Sequence, residues 1–448
     1  MLTFKRIIKL IIFIGIVFII NEILIFTQEP KNTTVKVMWR TFYQEKNLDT
    51  LFVGSSLCMN SLNPYIINDR LEINSFNMGT IAQSLEQTHI GIEEGVKNHK
   101  IKTVVLVIGH FTFTQKNTLN MDIQFINAKL ENKNIKEKLK EKIKFIFSKE
   151  HIKNIESINY FFPWIYDNIG FTPKTVLENI KIKINNRGIS ENEIYKKQGW
   201  NYIGKGFSVY DKSHDYNKVG NNISNSIYSK ENYLKNFEIL ERISEVCKKR
   251  NIDLIIVNTP HPVYDILGYD ENYFLTMNEI EKFFKKLRIP YYDFNLIKTV
   301  IFKSNEDYFK DFEHLNQKGA TEFSKAFAKF MKLREKGEDM EKYFYTPEEY
   351  LESIKHISIV NFDTENREKG INILAKAYTG SKVNVEYEML AYNESLNKYE
   401  VIREYDKNPQ CFYLVNENKK YKIRVNARQV GTNVSYERYY EKEIEFRR

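Results

Sequence analysis

Two short stretches of this chain carry side chains that could together do nucleophilic chemistry. One is Gly54-Ser55-Ser56-Leu57, directly after the run Thr50–Val53. The other is Asp311-Phe-Glu-His314, followed by Leu-Asn-Gln-Lys-Gly-Ala and an amphipathic stretch. Acyl transfer by serine needs an exposed hydroxyl, a base to take its proton, and donors for the oxyanion. A glycine where a strand ends lets the backbone turn sharply, so a following serine can face the crevice. An aspartate three residues before a histidine can reach the imidazole Nδ1–H across one tight turn. Nε2 is then left to deprotonate the serine. Each piece also has a plain structural reading. Gly-Ser-Ser is a good helix N-cap, and Asp-x-x-His can be an exposed acid beside an ordinary histidine.

The elements around these stretches must bring them together. Val104–Ile108 and Leu254–Val257 are uninterrupted apolar runs of strand length, as expected of parallel strands buried on both faces. Thr50–Val53 is a third strand, and Ile289–Phe294 is strand-like around Pro290. Leu85–Lys97, the stretch after the N-cap candidate Ser229, Phe274–Leu287 and the series Phe323, Phe327, Phe330 have helical spacing. This alternation predicts an α/β fold, a three-layer αβα sandwich around a mostly parallel sheet. In such a sheet the site gathers at the carboxyl ends of the strands. His261, in Asn258-Thr-Pro-His-Pro, ends the run Leu254–Val257 on that edge. It reads as a crevice-lining residue or as an ordinary loop histidine.

The 448 residues predict more than one domain. The net charge of +9 is spread through a chain rich in Lys, Asn, Ile and Tyr, which reads as solvated surface and not as a nucleic-acid footprint. Cys58, Cys247 and Cys411 are too few and too scattered for a disulfide framework or a metal site. Lys5, Arg6 and Lys9 precede an apolar stretch, Ile7–Phe26, interrupted by Asn21 and Glu22. Its length suits a membrane anchor with a cytoplasmic N-terminus and an extracellular body. No small-residue cleavage site follows it, which argues against a removed signal peptide. The expected organisation is an anchor over 1–30, an α/β domain over 31–345 and a β-sandwich over 350–448. The α/β domain carries a Lys/Asn-rich insertion at about 115–228, in which Glu131–Lys149 reads as a solvated helix. The insertion reads equally as a lid over substrate or as decoration. In the last segment the period changes to two, as in Ile371, Ile373, Ala375 or Val383, Val385, Tyr387, with turns at Thr379-Gly-Ser, Asn393-Glu-Ser and Asn416-Glu-Asn.

Gly54-x-Ser56-Leu57, Asn77-x-Gly79 and Asp311-x-x-His314-Leu-Asn-x-x-Gly319 resemble the first, second and last blocks of the SGNH/GDSL hydrolase superfamily, over roughly residues 47–335. The resemblance implies a flavodoxin-like sandwich with Ser56 as nucleophile, Asp311 and His314 as acid and base, and the N–H groups of Ser56 and Gly79 as the oxyanion hole. It implies no metal and no cofactor. The third block, Gly-x-Asn-Asp, is absent: Gly109-His110-Phe111-Thr112 stands there. His110 or Thr112 could replace the missing donor or serve only the loop. In layout the chain is similar to membrane-anchored DltD-type proteins of teichoic acid D-alanylation and to polysaccharide O-acyl-transfer proteins. Tyr387, Tyr392, Tyr405, Tyr421, Tyr439 and Tyr440 resemble the aromatics of Ig-like triple-tyrosine domains.

The resemblance therefore implies an esterase or acyltransferase acting on an acyl ester of a cell-envelope polymer, a teichoic acid or a polysaccharide. A different expectation is a non-catalytic module that keeps the fold and presents a polymer to a membrane-bound O-acyltransferase. A third is a surface adhesin working through the β-sandwich.

Overall fold

The computed structural model describes residues 4–113, 119–131, 133–148, 152, 154–166, 168–184, 191–196, 199–219, 230–268 and 272–447. Strands β1 (Thr50–Gly54), β2 (Ser75–Asn77), β3 (Thr103–Ile108), β4 (Asn201–Gly204), β5 (Phe207–Val209), β6 (Asp253–Asn258) and β7 (Tyr291–Asp293) belong to the α/β part. Five of them form a wholly parallel sheet in the order β2-β1-β3-β6-β7. Numbered among themselves they run 2-1-3-4-5, the doubly wound order whose direction reverses beside the first strand. In such sheets the ligand crevice lies at that reversal, here beyond the carboxyl ends of β1 and β3.

The apolar runs are uninterrupted because both sheet faces are covered. Leu51, Val53, Val104, Leu106 and Ile256 share one core with Trp39, Phe42 and Ile92. Phe52, Val105, Val107, Ile255 and Val257 share the opposite core with Leu57, Ile67, Phe323 and Phe327. The sheet is thus the middle of three layers. The helices Leu85–Asn98, Lys230–Lys249 and Asn272–Leu287 lie on one side, and Ser56–Ser61, Pro64–Leu71 and Gln317–Glu335 on the other. The N-cap expected at Ser229 lies outside the described residues.

Between the two expected domains, Thr346-Pro347 opens one more helix, Pro347–Ser353, with Thr346 and Glu349 forming a capping box. Seven antiparallel strands follow: β8 (Ile357–Arg367), β9 (Gly370–Thr379), β10 (Val385–Asn393), β11 (Lys398–Asp406), β12 (Gln410–Leu414), β13 (Lys420–Gln429) and β14 (Arg438–Glu445). They make two sheets, β11-β10-β13-β14 and β12-β9-β8. Phe362, Ile371 and Ile373 of one share a core with Met389, Ile423 and Val425 of the other. This is the product of the period-two pattern.

At the other end, the helix Phe4–Gln28 is long and apolar enough to cross a membrane. In the insertion, the expected helix over 131–149 is shorter, Ile135–Ile146. The β4–β5 hairpin docks against the edge of the sheet. Asn77 N–H donates to the Lys205 carbonyl at 2.9 Å, and Asn60 Nδ2 donates to the Ser208 carbonyl at 2.7 Å.

Gly206 makes that docking possible. Its φ is +76°, and a Cβ there would lie 1.7 Å from the Asn77 carbonyl oxygen. Gly431 has a similar φ of +84° with nothing within 4 Å of a Cβ. Gly206→Ala should therefore lose about 2–3 kcal/mol of stability and Gly431→Ala only about 1, since the second carries backbone strain alone. Chemical denaturation of the two variants measures the difference.

Candidate active site

The end of β1 is shaped by a close approach. Gly54 has φ +143°, and a Cβ there would lie 2.4 Å from the Val107 carbonyl of β3. No side chain fits, and the chain turns at once into the helix Ser56–Ser61. Ser55 is its N-cap: its Oγ accepts from the Leu57 N–H, and its carbonyl accepts from Cys58 and Met59 at 3.0 and 3.1 Å. Ser55 is thus committed to the backbone. Ser56 is the first helical residue, so its N–H has no acceptor within the helix, and its side chain faces the crevice.

The second half of the site is a self-closed loop. Lys310 N–H donates to the His314 carbonyl at 2.9 Å, and Asn316 N–H to the Tyr308 carbonyl at 2.8 Å. Asn316 Nδ2 donates to the Asp307 carbonyl at 2.7 Å, and its Oδ1 caps the following helix through Gly319 N–H at 3.0 Å. A Cβ on Gly319 would lie 2.2 Å from the Tyr308 carbonyl oxygen. Leu-Asn-x-x-Gly thus folds the loop back on the helix start and aims His314 at β1.

The two halves meet. His314 Nε2 lies 2.9 Å from Ser56 Oγ, and His314 Nδ1 lies 3.0 and 3.1 Å from the two oxygens of Asp311. Asp311 also accepts from the backbone N–H groups of Glu313 and His314 at 3.0 and 2.9 Å. Burial pushes the Asp311 carboxyl up. The hydrogen bond and charge of His314 and the two N–H donors outweigh that and hold it well below the usual carboxylate range. His314 is buried and Ser56 half-buried.

The other expected residues fare differently. Gly79 N–H donates to Asn77 Oδ1 at 2.9 Å, so it does not point freely at the crevice as an oxyanion donor. Asn77 itself is fully buried. Its Nδ2 donates to the Cys58 and Leu62 carbonyls at 2.8 and 3.0 Å, and its Oδ1 also accepts from Cys58 Sγ at 3.3 Å. Thr112 Oγ accepts from Gly109 N–H at 2.9 Å and closes the turn after β3, which is a loop role. The side chain of His110 lies outside the described residues. His261 does not line an open crevice: it is buried with Asp265, Nδ1 to Oδ2 2.8 Å, and its N–H donates to Asn295 Oδ1 at 2.7 Å. Burial lowers the affinity of His261 for a proton, but Asp265 more than restores it.

Two neighbours of His314 come from the insertion. The rings of Trp200 and Tyr210 lie 5.8 and 6.0 Å from the imidazole, both edge-on. Tyr210 is held by its carbonyl, which accepts from Gln317 N–H at 2.8 Å. Lys310 Nζ sits 3.4 Å from the Tyr210 ring centroid and 3.2 Å from Asp311 Oδ2. In the sequence this wall was covered only by the insertion at about 115–228, read as a lid or as decoration. Nothing there tied it to His314.

Comparison with known proteins adds little to this geometry. No family model matches the chain, and no curated protein does. Among solved structures, a GDSL-like lipase from Bacteroides thetaiotaomicron aligns over 69% of this chain and 97% of its own, with 11% identity and a TM-score of 0.31. A G-D-S-L family lipolytic protein from Desulfitobacterium hafniense aligns over 63% and 99%, with 10% identity and a TM-score of 0.29. At such scores the likeness carries no argument, and the site rests on its own hydrogen bonds.

The depressed Asp311 acid has a thermodynamic consequence. A group whose folded-state pKa is lowered contributes stability above its unfolded value and loses it as pH falls through the folded value. Stability should therefore drop as pH falls below about 4, the ordinary Asp range. Asp311→Asn should remove that part of the slope. Urea denaturation of both proteins between pH 7 and pH 3 checks this.

Proposed function

We propose that the chain is a serine esterase or acyltransferase of the SGNH type, working through an acyl-Ser56 intermediate. One observation carries this reading: the unbroken hydrogen-bond chain from Ser56 through His314 to Asp311, at the reversal point of a doubly wound sheet. Ser56 Oγ attacks the acyl carbonyl while His314 Nε2 takes its proton. Asp311 holds the ring so that Nδ1 carries hydrogen, and it stabilises the imidazolium. His314 then returns the proton to the departing alcohol. Water or a second hydroxyl, deprotonated by the same nitrogen, releases the acyl group. The Ser56 N–H, free of any helical acceptor, is the donor available to the oxyanion. Gly79 N–H joins it only if it exchanges Asn77 Oδ1 for the developing negative charge.

The substrate class we infer is an acyl ester, of D-alanyl or O-acetyl type, on a cell-envelope polymer such as a teichoic acid or polysaccharide. The apolar helix Phe4–Gln28 supports a membrane-held body. The positive charges at Lys5, Arg6 and Lys9 support an inside N-terminus and an outside body. The β8–β14 sandwich is then an Ig-like accessory domain. A second reading is a non-catalytic module serving a membrane-bound O-acyltransferase. It is favoured by the occupied Gly79 N–H together with the missing third-block asparagine, since one lost oxyanion donor costs about 3–4 kcal/mol of transition-state stabilisation.

Labelling by a fluorophosphonate decides between them. The wild type and Ser55→Ala should label, with Ser55→Ala about 1 kcal/mol less stable through its lost cap. Ser56→Ala should not label, and His314→Ala should label at least about a hundredfold more slowly. A wild type that labels no better than Ser56→Ala refutes the enzymatic reading.

A further inference from the structure

The anchor helix holds an asparagine in an awkward place. The stretch Ile7–Ile20 spans about 21 Å, short of a hydrocarbon core of about 30 Å, so residues 21–26 must lie in the apolar layer as well. Asn21 would then face lipid with an unsatisfied amide. It does not. Its Nδ2 donates to the Phe161 carbonyl at 3.1 Å, and its Oδ1 accepts from Trp164 Nε1 at 2.9 Å. Asn21 is buried, while the helix before it is exposed on all sides. The partners belong to the insertion, more than a hundred residues away in sequence.

These bonds set a depth. Asn21 lies five residues inside Phe26, about 7 Å along the helix axis. The segment 155–165 is therefore at that depth too. The helix Pro173–Ile184 runs antiparallel to the anchor beside it. Asn179 Nδ2 donates to the Thr27 and Glu29 carbonyls at 3.0 Å each, and Lys183 Nζ to the Phe26 carbonyl at 2.6 Å.

Three isoleucines stand among the exposed side chains at this level, beside Asn154 and Glu156. Ile155 is 87%, Ile158 54% and Ile165 41% exposed. The helix Ile135–Ile146 turns Phe145 inward onto Tyr160, with ring centroids 4.4 Å apart. Its opposite face carries Leu139 and Ile143, continued by Phe147, all exposed. Lys136, Lys140 and Lys144 flank that stripe on one side and Lys138 on the other, while the Lys142 ammonium turns inward over the Tyr160 ring at 5.6 Å. A helix buried on one face and apolar on the other, with lysines at the edges, fits a lipid interface, where the stems bury and the ammonium groups reach phosphate.

We propose that the insertion residues 135–148 and 154–166 are seated in the outer interface of the bilayer, against the anchor helix, with anionic headgroups as the partner of the outward lysines. The proposal rests on reading Phe4–Gln28 as a membrane span. The structure supplies the continuity: the same insertion that holds Asn21 also carries, through β4–β5, the Trp200 and Tyr210 wall beside His314. The active site is thereby held at a fixed height and tilt over the membrane, facing polymer close to its lipid end.

The test uses the full chain in bilayers of phosphatidylcholine and phosphatidylglycerol. Cys411→Ser removes the one half-buried thiol; Cys58 and Cys247 are buried. Single cysteines at Ile155→Cys, Ile158→Cys, Phe18→Cys and Lys398→Cys carry an environment-sensitive fluorophore, with doxyl lipid as quencher. Labels at 155, 158 and 18 should be blue-shifted and quenched, and the label at 398 neither. Quenching at 18 but not at 155 and 158 overturns the proposal and leaves the anchor standing. No quenching at 18 removes the anchor reading, and the proposal with it. Labels at 155 and 158 that are shielded from iodide in native membranes yet not quenched by lipid point to a protein cover, which also overturns it. Should the variants misfold, photolabelling of the unaltered chain by a diazirine lipid gives the same answer. Adducts should map to 154–166 as well as to 4–28, and their confinement to 4–28 counts against the proposal.

Discussion

Much of the active site hangs on one buried carboxamide. Asn77 ends β2 and reaches across β1 to bond the carbonyls of Cys58 and Leu62, which are the body and the end of the nucleophile helix. A helix of six residues is too short to be stable by itself, so this tether matters more than it would on a longer one. The carboxamide is fully buried, and losing its bonds would leave several polar groups unsatisfied at once. Its remaining lone pairs accept from Gly79 N–H and Cys58 Sγ. The carboxamide that steadies the helix of Ser56 through Nδ2 thus also occupies, through Oδ1, a backbone donor. On the proposed mechanism, placement of the nucleophile and strength of the oxyanion hole draw on the same carboxamide. With no asparagine after β3, that competition is sharper.

The insertion is the second determinant. Part of it packs onto the anchor helix at Asn21, and part of it walls His314 with Trp200 and Tyr210. The helix Phe4–Gln28 is tied to the α/β core through the residues that follow it. Lys36 pairs with Glu29 at 3.2 Å and donates to the Pro30 carbonyl at 2.8 Å. Trp39 and Phe42, one and two turns on, are in the core itself. The body is thus fastened to the N-terminal helix both directly and through the insertion. Rings packed around an imidazole limit its contact with water, which strengthens the electrostatics of the Asp311–His314–Ser56 chain.

A good part of this protein was legible before any coordinates. Period two against uninterrupted apolar runs separated the C-terminal sandwich from the parallel sheet. Both are one-dimensional records of how many faces of a strand are buried. Gly54 was legible as a turn residue, because a close backbone approach leaves no room for a Cβ and only glycine can stand there. The two polar clusters were legible as a candidate site because their residue types and order suit one chemistry.

The tertiary structure decided the rest, since it depends on contacts between residues far apart in the chain. Whether His314 reaches Ser56 rather than Ser55 follows from the cap that Ser55 makes and from a loop 258 residues away. The N–H of Gly79 turned out to be taken by a side chain two residues before it, a matter of rotamer and burial that a motif does not encode. His261 sits on the expected edge of the sheet, yet its side chain turns inward to Asp265, because strand order fixes an edge and not a direction. Asn21 looked like a flaw in an apolar run until Phe161 and Trp164 were placed beside it. Hydrogen-bond partners of a lone buried polar group are set by packing, and packing is where this sequence, taken alone, falls silent.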